Sequence, residues 1–222
     1  LLYGDRGDDT ILGGFDYQDT AYGGRGDDTI ELAATAYGGV GDDVITGARL
    51  GVGGSGNDFV AGIGDLYGGE GPGLTQVEIG NDTLFSVASG YAVTRMTGGL
   101  GADSFLVQGS TNGEPGFVEI TDFVAGVDKI GPGLPPGDGT EGRAQLFDRL
   151  DADNDDKLTW RDSLGPDGDG NTLDGGPVYA DGQGTMWLGL NATFAGATAT
   201  DANSWLIVRG ADEIGAADFI MG

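Results

Sequence analysis

Apolar and polar positions recur every fifteen residues between Gly23 and Gly69. Ile30, Ile45 and Val60 hold the apolar place. Asp28, Asp43 and Asp58 hold an acidic place two residues earlier, and Gly-Gly pairs open the units at Gly23, Gly38, Gly53 and Gly68. Three pairs begin nonapeptides, GGRGDDTIE, GGVGDDVIT and GGSGNDFVA; the fourth, GGEG, is interrupted. Side chains alternate along a strand, so the neighbours of each apolar residue point the other way. Each nonapeptide therefore predicts one glycine-rich turn and one short strand with a single inward residue. Six more residues (LAATAY, GARLGV, GIGDLY) bring the chain back. A short fixed period of this kind marks a solenoid, here with an acidic turn along one edge of fifteen-residue coils.

The register frays at both ends. Gly4 to Ile11 fits with Asp5 in place of the second glycine, which puts Gly7 and Asp9 in phase. Gly13-Gly14 opens a degenerate unit with Asp19 in the acidic place. After Gly68-Gly69 an insertion splits the unit, and Gly80 to Leu84 resumes it with Asp82. Gly98 to Phe105 is the last unit, with Gly99, Gly101 and Asp103 in phase. Residues 1–106 thus form one array; a flexible Gly-rich linker would lack phased apolar residues. Tyr3, Tyr22, Tyr37 and Tyr67 immediately precede turn glycines, with Val52 breaking the series. If the position before them faces inward, these rings stack on the outside, either as cross-strand packing or as a sugar-binding strip.

Strands in a sheet lie ~4.8 Å apart, which brings the carboxylates of successive coils together as like charges. Turn carbonyls are acceptors only and cannot neutralise the acids; a hard divalent cation can, and an all-oxygen donor set of flexible geometry favours calcium. In these nonapeptides the chain resembles the RTX (repeats-in-toxin) calcium-binding family over most of Leu1 to Leu106. The resemblance implies an all-β fold, a parallel β-roll or β-solenoid, holding several Ca2+ ions. Its implied ligands are Gly7 and Asp9, Asp19, then Gly24, Arg25, Gly26 and Asp28, and Gly39, Val40, Gly41 and Asp43. They continue with Gly54, Ser55, Gly56 and Asp58, Gly69 and Asp82, and finally Gly99, Gly101 and Asp103.

Charge sharpens this picture. The 222 residues include 47 glycines without a three-residue period, which excludes collagen, and carry a net charge of −26. Self-repulsion of that size opposes compaction until counter-ions bind, and it argues against nucleic acid or an anionic membrane as partner. With no cysteine and no histidine, disulfides, His- or Cys-based metal sites and His-dependent triads are excluded. No run is long enough to span a membrane. No secretory signal is visible and Leu1 starts inside a repeat, so the chain reads as a fragment of a longer protein. A monomer is expected.

Residues 107–222 read as a mostly β capping region, because a solenoid end exposes an open core and unpaired edges. Strands are expected at 104–107 and 117–123. The segment ITDFVAGVDKI, ending at Ile130, resembles the stretch closing the β-roll of serralysin-type proteases and other RTX exoproteins. Within it Asp122 and Asp128 are candidate ion ligands or plain turn residues. A breaker-rich loop at 131–137 precedes a short helix over 144–150. That helix leads into 151–162, whose acids at first, third, fifth and twelfth positions (Asp151, Asp153, Asp155, Asp162) resemble an EF-hand loop with the Lys157 carbonyl as a further ligand. Asp156 replaces the usual turn glycine and Asp162 the longer Glu, so weaker binding is expected. Residues 167–174 form a fainter second candidate. Strands at 185–190 and 204–208 are expected to pair antiparallel. The terminal Asp218-Phe219-Ile220-Met221-Gly222 looks like the export signal of type I secretion substrates, or a last edge strand on the cap.

The resemblance implies a calcium-dependent folding and secretion module, secreted through type I machinery and folded outside the cell or at its surface. The alternative is a carbohydrate-binding or adhesin module with polysaccharide as partner; resemblance extends to the repeat modules of alginate epimerases. Catalysis is not expected in these residues: acids are plentiful, but each phased Asp has a metal role and no apolar pocket is implied.

Overall fold

The structure, a computed structural model, describes residues 1–14, 18–72, 79–88, 93–109, 116–132, 151, 155–159, 178–189 and 204–220. It divides into two compact units, one of residues 1–86 and 94–106, the other of 87–93 and 107–222.

The strands of the first unit are β1 (Leu2–Arg6), β2 (Thr10–Leu12), β3 (Thr20–Arg25), β4 (Thr29–Glu31), β5 (Thr35–Val40), β6 (Val44–Ser55), β7 (Phe59–Tyr67), β8 (Thr83–Val87), β9 (Val93–Thr97) and β10 (Ser104–Gln108). Each coil gives one stretch to each of two parallel sheets. In one sheet β1, β3, β5, the second half of β6, the second half of β7 and β9 follow in order. In the other, β2, β4, the first half of β6, the first half of β7, β8 and β10 do so. The long β6 turns the corner between sheets near Gly47, where φ is 75° and the register to β7 shifts. This is the all-β parallel roll that the fifteen-residue period predicts.

Register follows the repeat. Ile11 pairs with Ile30, Ile30 with Ile45, Ile45 with Val60, and Val60 with Leu84. These residues and Phe105 are buried. Across from them the other sheet buries Ala21, Ala36, Leu66 and Met96. Gly51 stands in register between Ala36 and Leu66. A Cβ there would lie 2.7 Å from Val60 Cγ1, so the two sheets are in contact at that coil.

With Ala21 and Ala36 facing inward, the tyrosines after them face out. Tyr3 stacks on Tyr22 with centroids 5.1 Å apart, and Tyr22 on Tyr37 at 5.0 Å, with rings within 9° of parallel. Val52 continues the file as a buried residue and ends the stacking.

The second unit contains β11 (Gly116–Ile120), β12 (Lys129–Pro132), β13 (Lys157–Leu158), β14 (Val178–Ala180), β15 (Thr185–Gly189), β16 (Ser204–Arg209) and β17 (Ile214–Gly215). β14, β15 and β16 form an antiparallel run, as expected for the last two, and β11 lies parallel to β16. Two boundaries differ from expectation. The strand predicted to reach Phe123 stops at Ile120, because the chain turns over 121–128. Of the loop predicted over 131–137, Gly131 and Pro132 belong instead to β12, which contains buried Ile130, bridged to Phe219; residues 133–137 lie outside the described residues. The helix expected over 144–150 lies outside the described residues. Among the described residues no helix is long and apolar enough to cross a membrane.

Candidate metal centre

Glycine shapes each acidic turn. In the coil opened by Gly38, Gly39 has φ 120° and Gly41 φ 135°, a region closed to most L side chains. A Cβ on Gly41 would also strike the carbonyl of Gly26 one coil back. One on Gly38 would strike Asp43 Oδ2 and the carbonyl of Gly53 one coil on. Turn shape and coil-to-coil approach therefore both demand glycine. Positive φ recurs at Gly7, Gly24, Gly26, Gly54, Gly56, Gly99 and Gly101, and Asp5 carries φ 76° where the first unit lacks its second glycine. Gly69, in the interrupted unit, lacks it; Gly80 after the insertion takes the fourth-glycine role, packed against the Gly56 carbonyl.

These turns stack the sixth-position acids into one column. Asp28, Asp43, Asp58, Asp82 and Asp103 are each 1–2% exposed. The Oδ1 of each accepts the backbone N–H of the acid one coil earlier. Asp9 donates to Asp28 at 2.8 Å, Asp28 to Asp43 at 2.7 Å, Asp43 to Asp58 at 2.7 Å, Asp58 to Asp82 at 2.8 Å and Asp82 to Asp103 at 2.8 Å. The second oxygen is different: Oδ2 of Asp9, Asp28, Asp43, Asp58 and Asp82 is buried with no hydrogen-bond partner.

A second column was not singled out from the sequence, although an Asx residue at the fifth position was its visible signal. Asp8, Asp27, Asp42, Asn57 and Asn81 line the exposed side. Each accepts through Oδ1 the N–H of the fifth residue one coil later, at 2.8–3.0 Å. Two Asx ladders of opposite direction thus tie neighbouring turns together. The carbonyls of Arg25, Val40 and Ser55 accept N–H groups from Gly7, Gly26 and Gly41, which leaves each one lone pair for a further partner.

A buried carboxylate must be neutralised. Burial is the largest influence on this column. It outweighs the N–H each carboxylate accepts, and neighbouring acids push the same way. Asp43 is raised from 3.8 to about 7, Asp58 to about 8 and Asp82 to about 7, and Asp28 is raised as well. Without divalent cations the folded coils therefore bind protons that the unfolded chain releases. That stability is fully present below the unfolded value of 3.8 and is lost as pH rises through about 7 to 8. In chelator, acidification from about pH 8.5 to about pH 5 should raise the β signal in circular dichroism, because protons supply the missing neutralisation. A signal that falls over that window would contradict the assignment.

The donor types fit a hard cation: the same turns carry orphaned carboxylate oxygens and backbone carbonyls with a lone pair to spare. Among the described residues no three acidic side chains converge, so backbone carbonyls would have to complete any coordination shell. Asp19 stands apart from the column. Its Oδ2 accepts the N–H of Gly14 at 2.6 Å, and the ladder passes directly from Asp9 to Asp28.

In the second unit Asp128 is buried and its Oδ2 accepts the Val124 N–H at 2.7 Å, closing the turn that Asp122 enters. Asp151 is buried and accepts the N–H groups of Asp155 and Asp156 at 3.1 and 2.9 Å. Asp156, at the turn-glycine position, has φ 64°. Lys157 and Leu158 pair antiparallel with Gly215 and Ile214, and Lys157 Nζ reaches Glu213 at 2.7 Å. Asp153, Asp162 and residues 167–174 lie outside the described residues. Asp218 is buried and accepts N–H groups from Gly126 and Gly215, while Ile220 donates to the Ile130 carbonyl. Asp218 and Ile220 are thus hydrogen-bonded within the second unit. No protein-family model and no curated protein matches the chain.

Proposed function

We propose that residues 1–106 are a calcium-binding β-roll that closes when cations neutralise its acidic turns. On this reading the chain is the folding and secretion tail of a larger protein, exported through type I machinery and folded outside the cell. The observation that carries the reading is the file of five buried, unpartnered Oδ2 atoms on Asp9, Asp28, Asp43, Asp58 and Asp82. Desolvated anions of this kind persist only with a proton or a cation beside them, and at neutral pH a cation is the stronger partner.

Bound Ca2+ would supply positive charge and accept oxygen donors. The sixth-position acids and the carbonyls of the second to fourth turn residues would hold it. The loop of Asp151, Asp153, Asp155, Lys157 and Asp162 would hold a further ion. The chain's own part is to place those oxygens and to leave little else to hold the coils closed. At tenfold excess over Kd one site contributes ~1.4 kcal/mol. Five sites, one per orphaned carboxylate, would then contribute ~7 kcal/mol, comparable with the stability of a whole domain. Extracellular calcium modules bind at about 0.1–1 mM, so compartment would set the fold. The reading assigns no catalysis to these residues. As for polysaccharide, the Tyr22 ring lies between two parallel rings 5.0–5.1 Å away, so its faces are taken up by Tyr3 and Tyr37 and are closed to a stacked sugar.

Calcium titration of the chelator-treated chain should give a cooperative gain of β signal and a fall in radius of gyration. A chain equally folded and compact in chelator at neutral pH would overturn the proposal.

A further inference from the structure

Two successive turns carry the same tripeptide, Arg6-Gly7-Asp8 and Arg25-Gly26-Asp27. The next two turns have Val40-Gly41-Asp42 and Ser55-Gly56-Asn57 in the same register. Each tripeptide runs from the last residue of a strand, β1 or β3, into the bend after it, and its Arg and Asp are exposed. The glycine sets the bend: φ is 105° at Gly7 and 128° at Gly26, and a Cβ on Gly26 would strike the carbonyl of Gly7. A guanidinium and a carboxylate are thus carried on a turn of fixed shape, with their Cα atoms no more than about 7 Å apart.

The fold uses neither charge. Arg6 and Arg25 stand in register on neighbouring strands, a placing of like charges that costs stability. Among the described residues neither guanidinium has an ion-pair or hydrogen-bond partner. Asp8 and Asp27 each commit Oδ1 to the fifth-position ladder, and Oδ2 is left to solvent. The ladder does not need their charge, since Asn57 and Asn81 fill the same place with an amide oxygen.

A polyanion would be drawn to the two guanidinium groups but repelled by the carboxylates two residues on, and by a chain of net charge −26. The complement has to be charged in both senses. We propose that these turns dock a receptor protein that sets an acidic pocket beside a divalent cation of its own. The pocket takes the guanidinium fork, which suits paired carboxylate oxygens. The cation takes the uncommitted Oδ2, a hard donor with no other partner. The two copies are one strand apart, ~4.8 Å, too close for two receptors at once, so they serve as alternatives. The proposal needs the coils closed and is indifferent to which ion closes them.

The test is binding of the full chain, folded in calcium, to a purified integrin ectodomain that binds Arg-Gly-Asp peptides, in buffer that also holds magnesium. Binding should saturate, and the peptide Gly-Arg-Gly-Asp-Ser should compete with it where Gly-Arg-Gly-Glu-Ser does not. Asp8→Asn combined with Asp27→Asn keeps the ladder oxygens and should weaken binding at least about tenfold, the size of one lost charge-assisted contact. Arg6→Gln combined with Arg25→Gln should do the same, whereas Asp8→Asn alone should leave most of the binding. Asp42→Asn makes the same change in a turn without an arginine and should leave binding in place. Circular dichroism in calcium should match wild type for every variant; if a double variant does not fold, competition by the two peptides decides. A folded wild-type chain that does not bind, equal competition by the two peptides, or an equal loss with Asp42→Asn would overturn the docking site and leave the calcium reading intact.

Discussion

Asp43→Ala should cost the array about 2–4 kcal/mol at calcium tenfold above Kd. Orphaning the buried Asp28 N–H, which Asp43 Oδ1 now accepts at 2.7 Å, contributes about 1–3 kcal/mol. Loss of one cation site adds about 1.4 kcal/mol. Urea unfolding at fixed calcium reads the sum. Asp156→Ala is the matched control. That side chain is exposed on a loop, and its loss should cost less than about 1 kcal/mol. Equal losses would contradict a stacked column of sites. Asp43→Asn separates the two contributions. It retains the oxygen acceptor but has no charge to bury, so it should be more stable than wild type in chelator at pH 8 and less responsive to calcium. The sign follows from the raised value of Asp43, about 7: at pH 8 the wild-type side chain must be ionised in a buried place, and the amide is not.

Gly41→Ala is the second large effect. Its φ of 135° costs a side chain about 1–3 kcal/mol. The new Cβ would meet the Gly26 carbonyl, a backbone atom that cannot rotate away, and overpacking adds about 1–3 kcal/mol. The total of about 2–6 kcal/mol is enough to open the coil in a domain of ordinary stability. Gly126→Ala provides the comparison. Its φ is also positive, 82°, but nothing lies within 4 Å of the added Cβ, so only the strain remains. Thermal unfolding in calcium should show a clearly larger fall in Tm for Gly41→Ala. Equal falls would mean that coil-to-coil contact does not set the glycine pattern.

The array was legible because each coil repeats both its apolar and its acidic place. Ile30, Ile45 and Val60 fall in register, and Asp28, Asp43 and Asp58 fall in one buried file. Legibility failed where coil length changes. Asp19 matches the motif locally, yet the ladder runs nineteen residues from Asp9 to Asp28, and the surplus residues between leave Asp19 in its own turn. The same uncertainty did not mislead at the insertion, since Asp82 rejoins the file twenty-four residues after Asp58. The fifth-position ladder was visible as Asp27, Asp42, Asn57 and Asn81 but went unread, because a side chain that accepts one neighbouring N–H looks from sequence like any solvated acid or amide. In the second unit long-range partners decided the outcome. Asp218 meets the Gly126 N–H, ninety-two residues away, and β12 persists through Gly131 because Phe219 bridges Ile130. No local pattern encodes either contact.

The most direct measurement is amide exchange at Asp28, Asp43 and Asp58, whose N–H groups are the rungs between coils. At neutral pH in millimolar calcium these amides should be protected by about a thousandfold or more relative to chelator, equivalent to about 4 kcal/mol. Rungs that exchange equally slowly with and without calcium would show that the coils stay closed without help from the ion.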